Sequence, residues 1–190
     1  MQRRRFTALA SALVAMALLP VSPLFAHTPY RQWDIFRKRH LQILSSHSDL
    51  EGDATADRWA DILGAKLPLA RAMVSRARDV IRSAALLKTN QAKIAILSYA
   101  HAKAMFEGTA PFEEYKPMPL QVLLDNGTHL LVARDDLPLA HAFLVVVTLL
   151  EEAKALQLDV PLEGKFGMNI HPGARAAALG ETITLPEDVK

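Results

Sequence analysis

The 190-residue chain contains no cysteine, and aromatic residues make up only 6% of it. The absence of cysteine excludes disulfide bonds, thiolate metal sites and a cysteine nucleophile. A strong excess of charge of either sign is also missing, because 22 Lys and Arg stand against 20 Asp and Glu. Hydrophobic residues are plentiful at 51%, which is enough to form the core of one globular domain and argues against extensive disorder.

The amino terminus has the pattern of an export signal. Three arginines at positions 3–5 precede the apolar stretch TALASALVAMALLPV, and Ala26 ends the segment SPLFA at a position suited to cleavage. We therefore predict that residues 1–26 are a signal peptide and that the mature, periplasmic chain begins at His27. The arginines and the phenylalanine that follows them also fit the twin-arginine pattern, but the general secretory route explains them equally well.

Removal of that segment changes the charge balance of the protein. The segment takes three arginines and no acidic residue, so 19 basic and 20 acidic residues remain, a net charge of −1. Nothing in this balance predicts nucleic acid or an anionic membrane surface as a partner. No membrane span is expected in the mature chain.

Apolar patterns up to residue 107 alternate between strands and helices. We predict three strands, over residues 41–46, 70–77 and 93–98, each followed by a helix. The first helix is expected to be capped by Asp53 or Thr55, the second by Asp79, and the third is expected to end at Gly108. This alternation predicts an α/β fold with a mostly parallel sheet covered by helices on both faces.

The rest of the chain adds a hairpin and further helices. The strand patterns LQVLLD and HLLVARDD flank Asn126 and Gly127, a dipeptide typical of tight hairpins. A long C-terminal helix is predicted over about 138–157, followed by a short helix that begins at Pro172, next to a structural, hydrogen-bonded His171. We assign residues 27–181 to a single lobe and residues 182–190 to a flexible tail.

Several stretches resemble the TAXI-type solute-binding receptors of TRAP transporters. KIAILSYAHAKAMFEGTAPF is similar to the third strand and helix of that family and to its Gly-Thr-x-Pro-Phe loop, and HLLVARDD is similar to its His-Leu-Val-Val-Arg strand. IHPGARAAALGE resembles its closing His-Pro-Gly-Ala segment. The resemblance covers about residues 41–136 and 139–181, and it implies one lobe of a type 2 periplasmic-binding-protein-like fold. The second lobe of the family is missing, and SRARDVIRS replaces the family's Gly/Ser-rich turn.

The candidate ligand site lies beyond the carboxyl ends of the strands, where open parallel sheets bind their ligands and helix N-termini favour anions. The candidate residues are Ser45, Ser46 and His47 in the first turn, Ser75, Arg76 and Arg78 in the second, Ser98 and Tyr99 in the third, and Arg134 at the end of the fifth strand. The expected ligand is a small anionic, carboxylate-bearing metabolite, with Arg134 as its bidentate partner. In the alternative interpretation, the serines only cap helices and the arginines are solvated.

The sequence therefore predicts an extracytoplasmic binding protein, partnered by a transporter membrane subunit or another periplasmic protein. We expect that the protein is not an enzyme and binds no cofactor. Ser98 and His101 lack an orienting acid, and no phosphate-binding or metalloprotease motif is present. The alternative function is a non-catalytic accessory protein that binds a protein partner through the exposed face of the lobe. An N-terminal His27 together with a second histidine can also bind copper, but we predict no metal site.

Overall fold

The structure is a computed structural model, and it describes residues 40–183. The predicted signal peptide, the copper-binding hypothesis for His27 and most of the predicted tail lie outside these described residues. Among the helices of this part of the chain, none combines the length and the hydrophobicity that a membrane span requires.

The described residues form five strands, six α-helices and two short 3-10 helices. The strands are β1 (Gln42–Ser46), β2 (Met73–Ala77), β3 (Ile94–Ser98), β4 (Leu120–Asp125) and β5 (His129–Arg134). The α-helices are α1 (Leu50–Lys66), α2 (Val80–Lys88), α3 (Tyr99–Glu107), α4 (Leu139–Leu150), α5 (Ala153–Leu156) and α6 (Pro172–Ala178). The 3-10 helices are Pro68–Ala70 and Glu113–Tyr115.

The five strands form one mixed sheet in the order β2-β1-β3-β5-β4. β1 is parallel to both β2 and β3, whereas β5 is antiparallel to both β3 and β4. Four strands therefore point in one direction and β5 alone points in the other. This arrangement confirms the predicted α/β class and the predicted β4–β5 hairpin.

Helices cover both faces of the sheet, because successive strand residues are buried on opposite sides. In β3, Ile94 and Ile96 pack into the core beneath α1, α4 and α6, whereas Ala95 and Leu97 pack into the core beneath α2 and α3. All four side chains are at most 3% exposed. A continuous apolar run of this kind is typical of a strand that is buried on both faces.

The helix ends follow the predicted capping pattern with one correction. Asp79 caps α2 by accepting a hydrogen bond from the backbone N–H of Arg82, and Gly108 ends α3 in the left-handed conformation, with φ +67°. The prediction that Asp53 or Thr55 caps α1 is wrong. Asp49 caps this helix by accepting from the N–H of Gly52, so the helix begins a turn earlier and Asp53 lies inside its first turn.

The predicted long helix over 138–157 is divided into α4 and α5 by a turn at Glu151 and Glu152. Both glutamates bind Nζ of Lys66 at the end of α1, at 2.7 and 2.8 Å. Consecutive residues of a continuous helix point about 100° apart, so they cannot easily reach one ammonium group. The turn allows both carboxylates to meet it.

The two outer strands of the sheet differ in how their edges are covered. The edge of β4 is sealed by the chain that follows α5: Asp125 and Asp159 exchange backbone hydrogen bonds of 2.9 and 2.8 Å, and Val122 bonds to Asn169 and His171. His171 is buried and its ring bonds to the carbonyl of Leu137, so its predicted structural role is confirmed. On the other side, β2 pairs with no described strand except β1.

Candidate functional site

The carboxyl ends of four strands meet at one edge of the sheet, where the sequence analysis placed the candidate ligand site. β1, β3 and β4 all point in the same direction as β2, so Ser46, Ala77, Ser98 and Asp125 end their strands at one edge of the sheet. The helices α1, α2 and α3 begin at the same edge. We call this the carboxyl edge; its chemistry depends on which side chains remain accessible there.

In the first turn, the two predicted serines are used by the fold. Ser45 is buried and its hydroxyl donates to Oδ1 of Asp53 at 2.6 Å. Ser46 is also buried, and its hydroxyl lies 2.9 Å from that of Ser48. The side chain of His47 is 62% exposed, with Nδ1 3.8 Å from Asp53. Of the three predicted residues, His47 is therefore the one that a ligand can approach.

In the second turn, Arg76 is held by acidic side chains of α1. Its Nε lies 2.9 and 3.0 Å from the two carboxylate oxygens of Asp53, and its Nη2 contacts Asp57. Burial tends to raise the pKa of Asp53, but hydrogen bonds from Ser45 and Arg76 outweigh it and hold that pKa below its ordinary value. The charge of Arg76 is thus neutralised within the chain, and Ser75 is half-buried on β2.

Arg78 differs from Arg76 because its side chain is 90% exposed. Its Nε donates to Oδ2 of Asp79 at 2.9 Å, and this is a contact with a neighbouring residue rather than a bridge to another element. An open hollow of about 320 Å³ lies beside it, lined by Arg78, Asp79, Ile81, Arg82, Ala85 and Tyr115. Arg82 is exposed as well, so two arginines border this hollow.

In the third turn, Tyr99 belongs to a polar cluster that the sequence did not reveal. Its hydroxyl donates to Asp125 at 2.5 Å and accepts from Nζ of Lys165 at 2.9 Å, and Lys165 also forms an ion pair with Asp125. The ring of Phe166 packs edge-on against Tyr99 at 5.4 Å between centroids. The loop that carries Lys165 and Phe166 is thereby fixed to the ends of β3 and β4.

Burial and hydrogen bonding act in opposite directions on this cluster. Burial tends to raise the pKa of Asp125, but hydrogen bonds from Lys165, Tyr99 and the N–H of Gly127 outweigh it, and the pKa of Asp125 is lowered. The pKa of Lys165 is raised, since its bonds to Asp125 and Tyr99 outweigh its own burial. Both groups therefore keep their charges at neutral pH, and each neutralises the other.

A second, partly buried cluster joins the β4–β5 hairpin to the start of α1. Nε2 of His129 lies 3.0 and 3.1 Å from the carboxylate oxygens of Asp49, and its Nδ1 lies 2.9 Å from the hydroxyl of Thr128. Thr128 in turn donates to Glu51 at 2.9 Å. His129 is only 3% exposed, so this cluster stabilises the hairpin instead of facing a ligand. We refer to these two clusters, whose central residues Asp125 and His129 are buried, as the closed side of the carboxyl edge.

The structure places Arg134 away from the other predicted residues. Because β5 is antiparallel to β3, His129 pairs with Ser98 at the carboxyl edge and Ala133 pairs with Ile94 at the opposite edge. Arg134 follows Ala133 at that opposite edge, where it donates to the carbonyl of Leu87 at 2.7 Å and to Asp136 at 3.1 Å. The prediction that Arg134 joins the ligand site is therefore wrong, because the predicted hairpin reverses the direction of β5 and carries the end of this strand to the opposite edge of the sheet.

The described residues contain one Ser–His contact of the kind used in nucleophilic catalysis. Ser98 Oγ lies 2.8 Å from Nδ1 of His101, but no carboxylate within residues 40–183 hydrogen-bonds that histidine. A Ser–His pair without an orienting acid lacks one part of a catalytic triad. In the same part of the chain, no group of three or more His, Asp or Glu side chains is placed to hold a metal ion.

No protein-family model, curated protein or solved structure matches this chain significantly.

Proposed function

We propose that this protein is an extracytoplasmic, non-catalytic binding protein for a small carboxylate-bearing anion. The observation that carries the proposal is the hollow of about 320 Å³ at the β2–α2 turn, bordered by Arg78 and Arg82. Its volume is at the lower end of the roughly 300–1,000 Å³ of small-molecule sites. We call this hollow and its two arginines the open side of the carboxyl edge.

The open side is preferred because its cations are accessible. Arg76, Lys165 and Arg134 each hold acidic groups of the chain itself. The side chain of Arg78 is 90% exposed and, among residues 40–183, bonds to Asp79 through Nε, so its two terminal nitrogens can turn towards an incoming carboxylate. Arg82 and the ring of Tyr115 line the same hollow and supply a second cation and an apolar surface.

The affinity is expected to be weak. Small-molecule sites usually bury most of their ligand, whereas a hollow on a single lobe leaves one side of the ligand in water. The resemblance to TAXI receptors supports the same class of function, namely a type 2 periplasmic-binding-protein-like lobe that delivers its ligand to a transporter membrane subunit. Export rests on the signal-peptide pattern of residues 1–26.

A second function is favoured by exposed apolar side chains at the carboxyl edge. Leu50, the first residue of α1, is 80% exposed, and Phe166 is 37% exposed beside Tyr99. Exposed large apolar residues are typical of surfaces that bind another protein. On this interpretation the protein is an accessory subunit, and the face where a second lobe would lie binds a periplasmic protein instead.

The experiment that tests the first proposal is an NMR titration of the protein with a panel of mono- and dicarboxylates. We expect shifts at the backbone amides of residues 78–85, and Arg78→Ala and Arg82→Ala should each weaken binding by about tenfold, because each removes a charge-assisted hydrogen bond. Arg58→Ala is the matched control, since Arg58 is exposed on α1 on the other face of the sheet. Equal losses for all three variants, or no carboxylate binding by the wild type, would contradict the proposal.

A protein that co-purifies with the wild type and is displaced by no carboxylate would support the second function.

A further inference from the structure

Within the part of the chain that the structure describes, one edge of β2 carries a row of backbone hydrogen-bonding groups that no other strand uses. β2 is the terminal strand of the sheet, and among the described strands it pairs only with β1. Met73 donates to the carbonyl of Leu41 at 2.9 Å, and the carbonyl of Ala77 accepts from His47 at 3.0 Å. In a strand, the N–H and C=O groups of one residue point to the same side and alternate along the chain. Residues 73, 75 and 77 therefore face β1, and the backbone groups of Val74 and Arg76 face outward.

We propose that this edge is a dimerisation surface on which a second copy of the chain pairs antiparallel, β2 against β2. With the two-fold axis at Ser75, Val74 of each copy lies directly opposite Arg76 of the other. Both residues have outward-pointing groups, so each such pair exchanges two hydrogen bonds. The open groups of the strand are therefore complementary to themselves, as a two-fold interface requires, and the axis at Ser75 is the one that uses the outward groups of both Val74 and Arg76 in each copy.

The side chains agree with this register. Met73, which is 44% exposed, lies opposite the small Ala77 of the second copy, on the face covered by α2. Beyond the paired strands, the exposed Arg71 of one copy and Asp79 of the other flank the same end of the interface, so that opposite charges are present at both ends. Arg76 is neutralised by Asp53 and Asp57 of its own chain, so the two copies of Arg76 do not repel each other strongly.

The two outer edges of the sheet differ, because the edge of β4 is covered by the described chain and the edge of β2 is not. The edge of β4 is sealed by backbone bonds to Asp159, Asn169 and His171, whereas β2 has exposed apolar neighbours, with Leu69 at 79% exposure. Uncovered edge strands are templates for pairing with another chain. The paired segment has five residues, so the dimer is expected to be weak and dependent on concentration. This inference does not rest on the proposed function.

The register can be tested by cross-linking, because the chain has no cysteine of its own. In the proposed dimer the two copies of Ser75 form a non-hydrogen-bonded pair, whose Cα atoms lie about 4.5 Å apart, within the range of a disulfide. Ser75→Cys should therefore form a covalent dimer under mild oxidation, at least about tenfold faster than Ala54→Cys, a control on the exposed surface of α1. Equal rates for the two variants would overturn the register.

Sedimentation velocity of the purified protein over a roughly hundredfold concentration range tests the dimer itself. We expect a monomer–dimer equilibrium that Met73→Lys abolishes, because the lysine introduces a charge at the edge of the sheet. Leu179→Lys replaces another exposed apolar residue, just after α6, and should leave the equilibrium unchanged. A monomer at every concentration, or a dimer that survives Met73→Lys and does not cross-link through Ser75→Cys, would overturn the proposal.

Discussion

The closed and open sides of the carboxyl edge use the same kinds of side chain for different purposes. On the closed side, the side chain of Asp125 is 10% exposed and receives hydrogen bonds from Lys165, Tyr99 and the N–H of Gly127. On the open side, the side chain of Arg78 is 90% exposed and meets one acidic neighbour. The comparison teaches that burial and the number of partners, not residue type, separate groups that stabilise the fold from groups that are free to bind a ligand.

Physical chemistry explains why the two sides differ in their effect on stability. A buried charge that loses its partner is left without the water that would otherwise solvate it, and this costs several kcal/mol. An exposed ion pair is solvated whether or not it forms, and it contributes about 0–1 kcal/mol. Substitutions on the closed side should therefore change the free energy of unfolding, and those on the open side should change binding.

The largest expected effect is that of Asp125→Ala. This substitution removes the acceptor of three hydrogen bonds and leaves Lys165 without its ion-pair partner. We expect the free energy of unfolding to fall by about 3 kcal/mol, measured by urea denaturation.

Asp135→Ala provides the control for that prediction. Asp135 is exposed in the turn after β5, so its substitution should change the free energy of unfolding by less than about 0.5 kcal/mol. If the two alanine variants were equally stable, the closed side would have no special role in the fold.

An intermediate effect is expected for Arg134→Ala, which lies on neither side of the carboxyl edge. The side chain of Arg134 is 17% exposed, and its guanidinium donates to the carbonyl of Leu87 and to Asp136. We expect a loss of about 1.5 kcal/mol in the free energy of unfolding, with carboxylate binding unchanged in the NMR titration. Loss of binding with unchanged stability would restore Arg134 to the ligand site, as the sequence predicted.

Much of the fold was predictable because it follows from local patterns. The buried run of β3 specifies a strand, and Asp79 and Gly108 specify the ends of the helices that they cap. The predicted start of α1 was wrong because Asp49 and Asp53 are both residues that cap helices well. The local sequence does not decide between them, so the choice depends on how the helix packs on the sheet.

The candidate site was less predictable because it depends on which strands are adjacent and in which direction they run. The antiparallel direction of β5 places His129 at the carboxyl edge and removes Arg134 from it. Lys165 reaches Asp125 from a loop 40 residues away, and no short-range pattern signals that contact. The position of Arg78 at the carboxyl edge was predictable from sequence, because a residue that follows a strand and precedes a capped helix needs no long-range information to be placed.

The smallest expected effect concerns acid stability, and it compares one aspartate from each side. The pKa of Asp125 is lowered because its hydrogen bonds outweigh its burial, and the pKa of Asp79 is lowered by the N–H of Arg82 and the side chain of Arg78. A carboxylate with a lowered pKa binds fewer protons in the folded state. Its contribution is therefore complete above the unfolded pKa, taken as 3.8, and is lost as the pH falls through the folded pKa.

Urea denaturation between about pH 2.5 and pH 6 should therefore give a shallower acid loss of stability for Asp125→Asn than for the wild type. Asp79→Asn should reduce the loss less, because its partner Arg78 is exposed and water screens their interaction. His171, whose pKa is lowered by burial, is present in all three proteins, so its contribution cancels in the comparison. If the free energy of unfolding fell equally with pH in the two variants, burial would not distinguish the two sides electrostatically. Accessibility to a ligand would then be the remaining difference between them.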